Sequence, residues 1–229
     1  YQFDYFVDKG FYISYGLRSK FVQFDRNLNT RRLSNYRIEQ SELNRMDVEA
    51  YDWVNQLYLQ TLLGNGFVFG LGVEHRKIPF DAEQIYSVST IASYSEKNHF
   101  GSLYSYLKYD SFDNSFFPSK GVFFNTQFNL YALAAPNDAN FNKFTTGKTE
   151  ISFAIPILPR LNTRIGFEGG VTIGNSKTYS LDFFLGGYNK KVFSNYSPFY
   201  GYDFLSIGAK NYLKTEWVID FQPFKKHHL

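Results

Sequence analysis

The 229-residue chain has a formal charge of only +3 and no cysteine, which excludes a disulfide scaffold, a Cys-ligated zinc site and a basic nucleic-acid-binding surface. Aromatic residues make up 21% of it, 26 Phe and 19 Tyr against 2 Trp, yet the mean hydropathy is negative at -0.33. A soluble core of this size has little use for so many rings. A membrane wall does, because one face meets lipid, the rims favour amphipathic rings, and every second residue faces water.

Taken in chain order, the elements alternate with a period of two over segments of about ten residues, the length a tilted membrane strand needs. Phe11, Ile13, Tyr15 and Leu17 share one face, with Tyr12, Ser14, Gly16 and Arg18 on the other. A polar connection is expected at about 25–42, with a weak strand at 36–49. Tyr51, Trp53, Asn55, Leu57, Leu59, Thr61 and Leu63 form the next face, and Gly64-Asn65-Gly66 suits the positive φ of a tight hairpin. Phe67, Phe69, Leu71 and Val73 then oppose Gly70, Gly72, Glu74 and Arg76. The uncharged span from Val54 to Val73 matches a membrane helix in length. Its asparagines, glutamines, glycines and two-residue period predict strands instead.

Weaker strands are read at 84–95 and 99–110. The second half is cleaner. Val122, Phe124, Thr126, Phe128, Leu130, Ala132 and Ala134 alternate with Phe123, Asn125, Gln127, Asn129 and Tyr131, before a polar connection at 136–146. Thr149, Ile151, Phe153, Ile155 and Ile157 alternate with Lys148, Glu150, Ser152 and Ala154. After Pro159-Arg160-Leu161-Asn162, Ile165, Phe167, Gly169, Val171 and Ile173 oppose Arg164, Gly166, Glu168, Gly170 and Thr172. Last, Leu213, Thr215, Trp217, Ile219 and Phe221 oppose Lys214, Glu216, Val218, Asp220 and Gln222. A soluble sandwich or lipocalin-like barrel also alternates. Here the strands are long, and charges of both signs sit at successive positions of one face. Lys148 with Glu150 and Lys214 with Glu216 fit a wet lumen.

The segment from Tyr109 to Gly121 places Asp110 at a strand end and Phe117-Pro118-Ser119-Lys120-Gly121 at the opening of the next strand. Pro118 cannot donate to a ladder and Gly121 lets the chain re-enter the sheet closely. Further on, Gly186-Gly187 closes a short apolar run, and Pro198-Phe199-Tyr200-Gly201-Tyr202 follows. Together these resemble the strand-end signature, Gly-Gly strand end and inward-folding loop of the BamA-like, or bacterial surface antigen, superfamily. Glu216 matches the family's inward Glu. The insertases of that superfamily carry Val-Arg-Gly-Phe or Tyr in the loop, whereas this chain has no Arg there. The Pro-Phe-Tyr-Gly form looks more like the barrel that follows a patatin-like lipid hydrolase domain.

Chemistry is otherwise sparse. There is no Gly-x-Ser-x-Gly elbow, so no catalytic residue is expected. His75, His99, His227 and His228 lack ligand spacing with carboxylates, and Asp110 and Asp113 fit strand-end roles better than Ca²⁺ binding. No metal or cofactor is expected. Arg164, Glu168, Glu216 and Asp220 form either a lumen network that docks the inward loop or ordinary solvated lumen charge, and Lys148, Glu150 and Lys214 are further lumen charges.

The expected fold is an all-β, antiparallel transmembrane β-barrel of the bacterial outer membrane, a partial set of about 16 strands with about ten to twelve in these residues. On this reading 1–229 is one barrel domain, with an upstream domain and the last strands outside it. What the resemblance implies is a barrel that anchors or exports an upstream patatin-like lipid hydrolase. An insertase or secretion pore and a passive or structural barrel are the alternatives. The expected partners are outer-membrane lipids and other outer-membrane or periplasmic proteins, without nucleic acid. Phe124, Phe128, Leu130, Ile151, Phe153, Ile165, Phe167, Trp217 and Ile219 should face lipid, and Asn125, Gln127, Glu150, Glu168 and Glu216 the lumen. Pro198 to Tyr202 should fold inward onto strands near 147–174 and 211–222, held by packing and Tyr hydroxyls because the Arg is missing, with Gly201 permitting a tight approach.

Overall fold

The computed structural model describes residues 2–8, 13–30, 33–34, 37–38, 44–63, 66–85, 91–135, 141–175, 178–188 and 193–222. The strand-forming alternation resolves into one antiparallel sheet of 9 strands. In chain order these are β1 (Gln2–Asp8), β2 (Ile13–Thr30), β3 (Asn44–Leu63), β4 (Phe67–Ile85), β5 (Ile91–Asp110), β6 (Gly121–Ala135), β7 (Phe144–Leu158), β8 (Leu161–Ile173) and β9 (Tyr212–Phe221). Each pairs with its neighbour in sequence, the meander a barrel wall needs. Among the described residues the sheet does not close, since β1 and β9 each have one strand partner. No helix among them is long and apolar enough to cross a membrane, and the span from Val54 to Val73 is parts of two strands.

The strands are fewer and longer than the sequence predicts. What reads as separate strands at 84–95 and 99–110 is the end of β4 and the whole of β5, and of the polar stretches near 25–42 and 36–49 residues 25–30 belong to β2, 44–49 to β3, and 33–34 pair with 37–38. The reason is length. Crossing the bilayer takes about 9–11 residues, whereas β3 and β5 have 20 each. The excess continues the ladder beyond the length a bilayer needs, where Asp25 stands opposite Glu49 and Asp47 opposite Glu83 in the backbone register, so charged residues break up the sequence pattern there. Gly64, Asn65, His227 and His228 lie outside the described residues; Gly66 has the expected positive φ of 90°.

Orientation follows the parity of each strand. Phe128, Leu130, Phe153, Ile165, Phe167, Trp217 and Ile219 are exposed on the outer face, Trp217 by 73%, while Phe124 and Ile151 are half-buried among neighbouring outer side chains. Asn125, Gln127, Glu150 and Glu216 are half-buried inside and Glu168 is buried. The buried apolar cluster is therefore in the lumen: Ile78, Phe100, Tyr131 and Phe144 of the wall pack around Leu181 of the connection between β8 and β9. Inner tyrosines lie over wall glycines. A Cβ on Gly70 would strike the Tyr106 ring and one on Gly170 the Tyr212 ring, so the small residues make room for rings that stiffen the wall.

Two rims result. Among the described residues the turn rim carries Gly66, 111–120 and 159–160; the loop rim carries 141–143, 174–175, 178–188 and 193–211. Ring pairs stand at both edges of the outer apolar band, Phe67 stacked on Tyr109 at 4.3 Å near the turn rim and Phe21 tilted beside Tyr51 at 5.9 Å near the loop rim. From Phe67 to Lys77 the chain rises about 33 Å, which at a tilt of about 40° spans about 25 Å, the height of an outer-membrane apolar band.

Candidate functional site: the lumen loop and its anchors

Residues 174–211 leave the loop rim and return inside the barrel. The segment opens with a one-turn 3₁₀ helix (Tyr179–Leu181) and forms a small sheet in which Phe183–Leu185 pairs with Tyr196–Ser197 in parallel and with Ile207–Ala209 antiparallel. Such a sheet forms here because Phe183, Leu185, Tyr196 and Ile207 bury themselves in the lumen and their backbone groups must pair. Gly186 and Gly187 end the first of these strands at φ 129° and 70°. A Cβ on Gly186 would strike the Asp203 carbonyl oxygen, and Gly187 N–H donates to the Tyr202 carbonyl at 2.7 Å. Tyr196, fully buried, donates its hydroxyl to the Gly186 carbonyl at 2.6 Å.

Two charged anchors hold this loop to the wall. Glu168 on β8 sits between two lysines, with Lys148 Nζ at 3.1 Å from one carboxylate oxygen and Lys214 Nζ at 2.9 Å from the other; the Tyr212 hydroxyl donates to it at 2.9 Å. Both lysines continue to the loop. Lys148 donates to the carbonyls of Ser194 at 3.3 Å and Tyr196 at 2.8 Å, and Lys214 to Ser197 Oγ at 2.8 Å and the Pro198 carbonyl at 3.1 Å. Second, Arg76 on β4 pairs with Asp52 on β3 through two contacts of 2.8 Å, and its free fork edge donates to Asn195 Oδ1 at 3.2 Å. Asn195 in turn donates to the carbonyls of Ser180 and Asp182. Arg76 is 2% exposed, so this pair is desolvated, and the two-point contact with Asp52 plus the bond to Asn195 offsets the burial of its charge.

The expectation that packing and Tyr hydroxyls alone hold the loop is therefore corrected. Charge-assisted hydrogen bonds are present with reversed polarity: the cations belong to the wall and the acceptors are loop carbonyls. Register explains the choice, because Glu168 faces Lys214 directly on one side and Glu150 on the other, leaving Lys148 to reach it diagonally. Arg164 and Glu216 pair with each other at 2.8 Å, both about one-third exposed, and Asp220 faces Asn162 across the ladder. Of the loop motif, Pro198 touches the wall through its carbonyl, Phe199 and Tyr202 stack at 5.3 Å, and Tyr200 is 70% exposed. Nothing lies near a Cβ built on Gly201; its positive φ of 85°, not a tight approach, is what needs glycine. Tyr188, 80% exposed, also escapes the burial expected of these rings.

The strand-end motif lies on the turn rim, far along the chain from the loop. Asp110 accepts from Phe112 N–H at 3.1 Å, and Asn114 from Phe116 and Phe117 N–H. Asp113 is the centre of the turn: it accepts from the Ser119 and Lys120 amides at 2.8 and 3.2 Å and from the Ser119 hydroxyl. The Ser119 hydroxyl, above all, and the two amides hold its carboxyl below the usual range. Pro118 is buried, Phe117 and Lys120 are exposed, and Gly121 has φ 118° with no room for a Cβ beside Ser111. Between this turn and the loop, a lumen cavity of about 230 Å³ is lined by Asp110, Phe112, Glu150, Arg164, Lys214 and Glu216 among others.

Sequence parity placed Arg76 inward but gave no reason to single it out, and Asp52, Ser194 and Asn195 went unmarked. Their roles depend on register across three strands and on a loop fold, neither of which is a local signal. A family model described as the OMP85 superfamily matches residues 1–229. No curated protein and no solved structure matches the chain.

Proposed function

Because the chain belongs to the OMP85 superfamily of outer-membrane β-barrels, we propose that it is the membrane barrel that anchors, or helps export, a patatin-like lipid hydrolase domain. The observation behind this reading is the lumen loop. It has the Pro198-Phe199-Tyr200-Gly201-Tyr202 form without an Arg, and wall cations grip its backbone instead. A loop held by lysines on its main chain and by Arg76 on the Asn195 side chain suits a standing plug that keeps one barrel shape. That argues against a passive open channel. The outer membrane is the location, and its lipids are the partners of the outer face.

The test is made on the full-length gene product in bacterial cells. Expected are a Gly-x-Ser-x-Gly hydrolase domain upstream, phospholipid hydrolysis by the intact protein, and loss of that domain from the outer-membrane fraction when residues 1–229 are removed. Tandem periplasmic helix–sheet repeats upstream, with outer-membrane proteins accumulating unfolded on depletion, would establish the insertase reading in its place.

A further inference from the structure

On the outer face the rows of paired residues change character abruptly. Leu17, Leu57, Val73 and Leu103 form one row across β2 to β5, wholly apolar. The next row towards the loop rim is Ser19, Asn55, His75 and Gly101, and the one beyond it is Phe21, Trp53, Lys77 and His99. These two rows sit at the edge of the apolar band, at headgroup depth. His75 is exposed, its Nε2 lies 3.1 Å from Nδ1 of His99, and Lys77 lies directly opposite both His99 and Trp53. No carboxylate shares these two rows. Beside Lys77 and the two imidazoles, Trp53 donates to Ser19 Oγ at 3.3 Å and Ser19 to Asn55 Oδ1 at 2.8 Å, a patch of hydroxyl and amide groups on the same face.

We propose that His75, Lys77 and His99, with Trp53, Ser19 and Asn55 beside them, bind the phosphorylated sugar headgroup of an outer-leaflet glycolipid. Lys77 supplies a fixed charge and the imidazoles supply N–H donors for phosphate oxygens, which are strong acceptors. The Trp53 ring and the Ser19–Asn55 pair suit the face and hydroxyls of a sugar. The outer leaflet is indicated because this edge adjoins the rim with the long 174–211 connection, and long loops lie outside the cell in such barrels. The inference rests on the outer-membrane reading given above.

The test is native mass spectrometry of the full-length protein, purified in detergent and incubated with a bis-phosphorylated glucosamine lipid, its dephosphorylated form, or phosphatidylglycerol. The expected result is retention of the phosphorylated glycolipid, weaker retention of phosphatidylglycerol, and little of the dephosphorylated form. The triple variant His75→Gln, Lys77→Gln, His99→Gln should retain the first lipid about fivefold less or worse, the loss of about 1 kcal/mol per surface cation. Lys77→Arg should bind like the parent. Equal retention by parent and triple variant, or equal retention of the dephosphorylated lipid, overturns the site. Phosphatidylglycerol held as well as the glycolipid overturns the sugar assignment. These side chains lie outside the wall's interior, so the variants should keep strand content by circular dichroism. A parent protein that does not insert into bilayers overturns the membrane reading and this site with it, and is distinguished by flotation with vesicles before any lipid is added.

Discussion

Glu168 shows how much one residue can hold. It is 4% exposed and neutralises two half-buried lysines that grip the loop, so removing it takes the shared carboxylate away from both ammonium groups. Glu168→Ala should cost about 3–5 kcal/mol, the range for breaking a buried pair from one side. Urea unfolding in lipid vesicles reads this directly. Adding Lys148→Met to Glu168→Ala should recover part of the loss, and a fully additive double variant would show that the two side chains do not interact. Asp113 acts in the opposite setting, on an exposed rim. Its folded carboxyl is held below its ordinary value of 3.8, so its contribution is complete above that value. The contribution is lost as pH falls through the lowered folded value. Cleavage of the 111–120 turn by pepsin should therefore rise on acidification, and Asp113→Asn should show the raised cleavage already at the mildest acid pH. A turn equally resistant in both proteins would contradict the hydrogen-bond assignment.

At the scale of elements, the legible part of the fold was the part that alternates. β6, β7, β8 and β9 were readable because lipid on one side and water on the other impose opposite demands on successive residues. The extensions of β2 to β5 were not, since they run past the length a bilayer needs and charged residues such as Asp25, Glu49 and Asp47 interrupt the pattern. The loop was half legible: its glycines and rings marked a packed segment, while the anchors at Arg76 and Lys148 needed register and a partner fold to appear. The parity itself is testable. Val73→Lys, on the outer face, should cost about 2–4 kcal/mol at mid-membrane, whereas Gln127→Lys on the lumen face should be nearly neutral. Similar costs at both positions would mean the faces are reversed. Within the loop, Gly186→Ala forces a side chain against the Asp203 carbonyl and should cost about 1–3 kcal/mol. Gly201→Ala meets open space and pays only for its positive φ, about 1–2 kcal/mol, so it should be the milder change. The reverse order in unfolding midpoints would place the close approach at Gly201 after all.

For the whole molecule, the question is whether the lumen is a path or a filled space. The buried cluster of Ile78, Phe100, Tyr131, Phe144 and Leu181 lies inside the wall, where a channel would need water. The loop sheet fills the space beside it, and its position depends on Lys148, Lys214 and Arg76, three cations on three strands. Dispersion and apolar burial at Leu181, Phe183 and Tyr196 hold the loop's interior together. They do not by themselves fix where the loop sits against a polar wall; directional bonds from the lysines do that. Replacing Lys148 and Lys214 together by Met should therefore leave the wall assembled yet free the Ser194–Pro198 segment from β7 and β9. In planar bilayers the full-length protein carrying both substitutions should show larger and more frequent conductance steps than the parent, and high salt should move the parent in the same direction by screening the more exposed of these contacts. Identical conductance in both proteins, with the variant still inserted, would mean that packing alone seats the loop and that the lysine clamp has no part in closing the barrel.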